Sequence, residues 1–246
     1  MNRRRSPGWV PNQHGAWAML AAPALAGIIS SGPTLAQVVL TAFWFSGYLA
    51  FQATGLWLKS RRKSRWWPPV RTYGVLAAGL GLITVVLDPG LVRWVPLFLV
   101  PAALGLFAYA RRDDRSLLSG VTTTAAACLF APVAHDAGQH QDWPRIWLLT
   151  LVLALYFIGT VLYVKTMIRE RESAGYRLGS ITYHVAALLI VAAAGHWWLA
   201  GVFAVLLLRA AVLPRLTLSP KQVGIIETVL TVAVLAVALL TVRVAP

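Results

Sequence analysis

Nine apolar stretches, each near the length needed to cross a bilayer, constrain this chain more than any other feature. A spanning helix takes about 20 mostly apolar residues. Cutting at charged runs and Pro/Gly breaks gives segments at 16–31, 35–58, 73–87, 91–110, 117–134, 146–164, 178–194, 197–213 and 223–244. Backbone groups in hydrocarbon must find their partners within the segment, so each is expected to be a helix. The predicted fold is therefore all-α, a polytopic transmembrane helical bundle of about nine spans in one integral membrane domain over 1–246. Only 12% of residues are charged and 58% are hydrophobic, against about 25% charged in soluble domains, which excludes a water-soluble globule. The lone Cys128 rules out an intramolecular disulfide and a cysteine metal cluster.

The charge is lopsided, 22 Lys and Arg against 8 Asp and Glu for a formal +14. In a soluble chain this balance points to nucleic acid, but no nucleic-acid motif accompanies it, and none is expected as a partner. A membrane accounts for it: 19 of the 22 basic residues fall in the tail 1–13 and in alternate loops near 59–71, 111–115, 165–177 and 209–221, leaving Arg93, Arg145 and Arg243 for the other side. Short cytoplasmic loops are enriched in Lys and Arg, so the N-terminus is expected inside and the C-terminus outside a bacterial cytoplasmic membrane. Anionic lipid head groups are the expected partners of these loops. Segment 16–31 is read as a first span, not a cleavable leader, because Pro23 interrupts it and a polar, aromatic cluster from Asn12 to Trp17 precedes it.

Strongly polar side chains inside a bilayer are expensive, so each is a functional candidate by default. Gln13, His14 and Trp17 lie at the inner end of the first span and Gln52 near the inner end of the second. Lys165, Arg169 and Glu170 continue the sixth, Ser180, Tyr183 and His184 begin the seventh, and Glu227 lies about one turn into the ninth. All sit at the same end of their helices, which predicts one polar cavity opening to the cytoplasm. Lys165 and Arg169 are four apart and share a helix face, as do Ser180 and His184. Two cations beside a hydroxyl and an imidazole suit an anion such as a phosphate, diphosphate or carboxylate. Lys59, Arg62 and Arg65, in a polybasic and aromatic strip, add to that site. His14, Tyr183, His184, Glu227 and Glu170 are the acid/base candidates; Gln13, Trp17, Gln52, Lys59, Arg62, Arg65, Lys165, Arg169 and Ser180 are the ligand-binding candidates. Plain readings stand beside these: Lys165 and Arg169 snorkelling to head groups, His184 bonded to a backbone carbonyl, and Glu227 paired with Lys221 or Arg209. His135 and His140 lie off helical register, and no metal site is assigned.

The stretch Gln13-His14-Gly15-Ala16-Trp17-Ala18-Met19-Leu20 resembles a signature of the YwiC-like family of bacterial membrane proteins. Lys165 to Glu172, Ser180 to His184 and Pro220 to Glu227 fit the same family, and the resemblance covers almost the whole chain. More distantly, the architecture is similar to the UbiA-like intramembrane prenyltransferases, which have nine helices, an inner N-terminus and Asp-rich loops holding magnesium against an isoprenyl diphosphate. That likeness implies a cavity for an isoprenoid-like or other lipid-soluble molecule with an anionic head. The chain departs from the pattern, because Asp88, Asp113, Asp114, Asp136 and Asp142 all fall outside 59–71 and 165–177. A two-magnesium cage is not expected, no cofactor is named, and cations would hold the head directly. Two other functions fit the sequence. A proton-coupled transporter would relay through Glu227 and His184 with helices broken at Pro96 and Pro101. A non-catalytic membrane scaffold subunit would use Gly74, Gly79, Gly81 and Gly105 for close helix packing.

Overall fold

The chain is described by a computed structural model covering residues 8–11 and 14–244, the side chains of 14, 220 and 242–244 excepted. Helices α1 (His14–Ser31), α2 (Leu35–Lys59), α3 (Trp67–Leu87), α4 (Val95–Ala110), α5 (Leu117–Cys128), α6 (Phe130–Asp136), α7 (Trp143–Ile168), α8 (Ala174–Ala193), α9 (Trp197–Val212) and α10 (Pro220–Val244) follow in order, with short 3-10 turns at Ser64–Trp66, Pro89–Trp94 and Leu213–Arg215. Eight spans are long and apolar enough to cross a membrane, and α1 is a shorter apolar helix. The protein is thus a multi-pass helical membrane protein.

Local chemistry explains where the helices start and break. Thr34 caps α2 in a reciprocal box, its hydroxyl accepting from Gln37 N at 3.1 Å while Gln37 Oε1 accepts from Thr34 N at 2.9 Å. Ser116, Asp142 and Ser173 cap α5, α7 and α8 in the same side-chain-to-backbone manner. The fifth span was expected as one helix and is instead divided at Leu129. Pro132 is the cause: it lacks an N–H, and its ring crowds the carbonyl of Cys128 four residues back. The third span begins at Trp67, six residues before the expected start, because Pro68 and Pro69 occupy first-turn positions that need no N–H partner. Arg209, expected in a basic loop, lies inside α9 and is buried.

Helix α7 runs through the middle, packing on α1, α5, α6, α8 and α10. Its residues Ile146, Leu149, Leu153 and Phe157 form the centre of the main core with Leu199 and Phe203 of α9. Gly27 lets α1 lie directly on α6, since a Cβ there would sit 2.5 Å from Ala131 O. Helix α3 is peripheral: it packs along α2 and against the 3-10 turns at its ends, and presents Val75, Leu82 and Val86 outward.

Side-chain contacts tie the loops into two ends. Lys59 Nζ meets Asp114 Oδ1 at 2.6 Å, Arg169 Nη1 donates to Arg115 O at 3.4 Å, and Arg171 Nη2 donates to Leu216 O at 2.6 Å. The basic loops therefore gather at one end of the bundle. At the other end Ser30, Gln37, Arg93, Trp94, His135 and Asp136 join the opposite turns.

Candidate functional site

A cavity of about 1710 Å³ opens at the basic end and runs down between α1, α2, α4, α5, α7 and α10. Its wall on α2 extends from Lys59 to Leu40, a rise of about 28 Å. Three zones follow one another along this depth. Lys59, Arg115, Lys165 and Arg169 stand at the mouth; Gln52, Tyr48, Thr123, Thr160, Glu227 and Thr231 line the middle; Leu40, Phe43, Trp44, Phe98, Phe130 and Val133 line the deep part.

The mouth is built from helix ends. Lys59 closes α2, and Lys165 and Arg169 close α7, positions where cations offset the negative end of the helix dipole. Among the described residues Lys59 is neutralised by Asp114, whereas Arg115, Lys165 and Arg169 have no carboxylate within salt-bridge distance. Lys165 Nζ lies 5.5 Å from the Tyr176 ring centre, which steadies the ammonium without cancelling its charge. Arg61, Arg62 and Arg112 adopt left-handed backbone angles, with φ of 60°, 58° and 62°. They end α2 and α4 through the bonds Arg62 N to Trp57 O and Asp113 N to Ala108 O, of 2.9 and 2.8 Å. Glycine is the usual occupant of such a turn, so this chain places charge where backbone comfort favours glycine.

The middle zone rests on a buried network. Arg209 Nη1 contacts both carboxylate oxygens of Glu227, at 2.7 and 2.6 Å, and Thr160 Oγ1 donates to Glu227 Oε2 at 3.1 Å. Tyr156 and Thr231 bond to the Glu227 carbonyl at 3.1 and 2.7 Å and lie 2.9 Å from each other. The Arg209 guanidinium lies 4.2 Å from the Tyr163 ring centre, and its Nη2 reaches His184 Nε2 at 3.2 Å. An arginine can only donate, so His184 Nε2 accepts; Nδ1 then carries the proton and donates to Ser180 O at 2.7 Å. His184 is a neutral support for Arg209. Gly159 admits it, because a Cβ there would lie 3.1 Å from His184 Nε2.

The sequence-predicted residues divide among three settings. Gln52, Lys59, Lys165, Arg169 and Glu227 share the cavity wall. Ser180, Tyr183 and His184 lie behind it: Ser180 and His184 are buried, and Tyr183 Oη donates to Leu155 O at 3.1 Å. Trp17 stacks on Phe45 beside the cavity. Arg62 and Arg65 are exposed and stack over Trp57 and Trp66. Glu170 is in the α7–α8 turn, its N–H bonded to Lys165 O at 2.8 Å. Gln13 and the His14 side chain lie outside the described residues. Sequence reasoning missed Arg115, Asp114 and Tyr48 as parts of this region. Of the two partners it offered for Glu227, Lys221 and Arg209, the structure pairs Arg209.

Comparison with known proteins finds relatives over most of the chain. The chain is 33% identical over 223 residues to the Uncharacterized protein YwiC of Bacillus subtilis, covering 89% of this chain and 92% of that protein. It is 30% identical over 231 residues to an Uncharacterized protein of Haemophilus influenzae, covering 90% and 93%. No solved structure matches the chain. The sequence profile of the YwiC-like proteins matches residues 10–135, and with these relatives spanning nearly its full length, the chain belongs to the YwiC-like family.

Proposed function

We propose that this protein binds a lipid-soluble, amphipathic molecule with an anionic head, the head at the basic mouth and the tail in the apolar depth. One observation carries the reading: cations without carboxylate partners, Arg115, Lys165 and Arg169, stand at the rim of a cavity whose far wall is aromatic and aliphatic. Cations held together without counter-charge are stabilised by an incoming anion, and charge-assisted hydrogen bonds are the strong ones. Apolar depth then contributes about 0.8 kcal/mol for each methylene removed from water. The buried Arg209–Glu227 pair adds no net charge, so attraction is concentrated at the mouth. Glu227 and Thr160 are the polar groups set to meet the portion of ligand just below its head, with Arg209 and His184 holding Glu227 in place. We infer that the mouth faces the cytoplasm, since short cytoplasmic loops are the ones enriched in Lys and Arg.

The test uses the full chain in nanodiscs with octadecyl phosphate as probe and an octadecyl trimethylammonium salt as its cationic control. Phosphate binding is expected, and the cation is expected to be excluded. Each charge-assisted contact is worth about 1.5–3 kcal/mol, so Lys165→Ala with Arg169→Ala should weaken phosphate binding about a hundredfold or more. Equal binding of both probes, or of the phosphate by wild type and the double variant, refutes the assignment.

A further inference from the structure

We propose that the ligand is a long-chain lipid drawn from within the bilayer, whose tail leaves the cavity sideways through a cleft between α3 and α4. This rests on the reading of the cavity as an amphiphile site and adds the ligand's length and its route. The observation behind it is a set of residues that face two ways. Val85 of α3, Val92 of the 3-10 turn, and Val95 and Leu99 of α4 all line the cavity, yet are 37%, 48%, 50% and 61% exposed. A cavity wall that is also outer surface is an opening, and these four exposed side chains are all aliphatic.

The topology explains why the opening lies there. Helices α3 and α4 are consecutive, but the turn Pro89–Trp94 separates them, and they form no packed seam with one another. Helix α3 is held by α2 on one side only. The inner side of the cleft is formed by Phe43 of α2, which approaches Gly81 of α3 where a Cβ would lie 3.1 Å from the ring. Water has no polar partner among Val85, Val92, Val95 and Leu99, whereas hydrocarbon meets a surface like itself.

Length sets the ligand class. Gly81 and Val85 lie 14 and 18 residues beyond Trp67 at the basic end of α3, about 21 and 27 Å along the axis. An extended chain advances about 1.2 Å per bond. An octyl tail anchored at the mouth therefore ends about 10 Å down, beside Thr123 and Val161, while an octadecyl tail ends about 21 Å down, level with Gly81 at the near edge of the cleft. Single long tails are accommodated with their ends in the bilayer, so tail length beyond the cleft is not selected against.

The experiment is photo-crosslinking of the full chain in nanodiscs with octyl and octadecyl phosphates carrying a diazirine at the tail end, mapped by peptide mass spectrometry. The octadecyl probe is expected to label Gly81 and Leu99 at the near edge of the cleft, and the octyl probe Thr123, Thr124 and Val161. Val85→Trp with Leu99→Trp fills the cleft at two exposed positions that a folded protein tolerates. It should cut octadecyl labelling at least about tenfold, the equivalent of two methylenes losing their place, with octyl labelling unchanged. Val86→Trp, on the same helix but off the cavity, should change neither. Octadecyl labelling confined to Phe130 and Val133, or untouched by the cleft-filling pair, overturns the portal while leaving the binding site standing. Failure of the octyl probe to label the cavity overturns the amphiphile reading and the portal with it.

Discussion

At the end where α1 turns into α2, His135, Asp136 and Gln37 are buried and bonded to protein partners, whereas at the basic end cations are assembled without full compensation. His135 is fully buried; its Nε2 accepts from Asp142 N at 2.8 Å, so its Nδ1 donates to Ser30 Oγ at 2.8 Å. Asp136 takes both Arg93, at 3.1 Å through Nε, and Trp94 Nε1 at 2.7 Å. Gln37 Nε2 spans Ser31 Oγ and Ala134 O at 2.8 and 2.7 Å. This end is a seal, where the buried side chains of His135, Asp136 and Gln37 each find protein partners. At the mouth, Arg115, Lys165 and Arg169 have no carboxylate partner among the described residues. Buried polar groups are normally satisfied from within, whereas the exposed Arg115 and Arg169 and the half-buried Lys165 keep their charge open to an incoming anion.

The largest effect expected on breaking this contrast is at the buried pair between the two ends. Arg209→Ala leaves Glu227 charged and unpaired, which should cost about 3–5 kcal/mol in detergent unfolding. Replacing both by Met should cost clearly less than the single change. Next comes the seal: His135→Ala orphans Asp142 N, at about 1–3 kcal/mol for the unsatisfied group, while the Ser30 hydroxyl keeps its bond to Gly27 O. Alkyl phosphate binding should stay within twofold, and a parallel loss of binding would join the two ends functionally. Lys59→Ala removes a half-exposed partner from the buried Asp114 and should cost about 1 kcal/mol. Arg61→Gly relieves a left-handed backbone and should raise stability by up to about 1 kcal/mol. Lys165→Ala with Arg169→Ala should shift stability by no more than about 0.5 kcal/mol while abolishing most phosphate binding. A large loss of stability there would make these residues structural, like those of the seal.

Much of the fold was legible because hydrophobic length and loop charge act locally. The apolar helices, eight of them among the described residues long enough to cross a membrane, and the grouping of basic loops follow from runs of about 20 apolar residues and from where Lys and Arg fall. The helix break at Leu129 was also written locally, in Pro132, but an uninterrupted apolar run concealed it. The candidate site was legible only in part. Gln52, Lys59, Lys165, Arg169 and Glu227 share a helix end, and the structure gathers them on one wall. Ser180 and His184 share that end too, yet their helix turns them toward Arg209, behind the wall. Depth along a helix can be counted from the sequence; rotation about its axis depends on the neighbours.

The sequence by itself determined that the chain is a bundle of membrane helices, that its charge is segregated to one end, and that its family is YwiC-like. Each of these rests on residue order and hydrophobicity alone. Only the tertiary structure decided which cations are paired and which are not, that Arg209 is buried against Glu227, and that α3 and α4 stand apart beside the cavity. Those facts depend on side chains of different helices meeting or missing one another, 18 residues apart for Arg209 and Glu227 and 55 for Lys59 and Asp114, and pairing energies act over a few ångströms between helices whose order around the bundle no local pattern encodes.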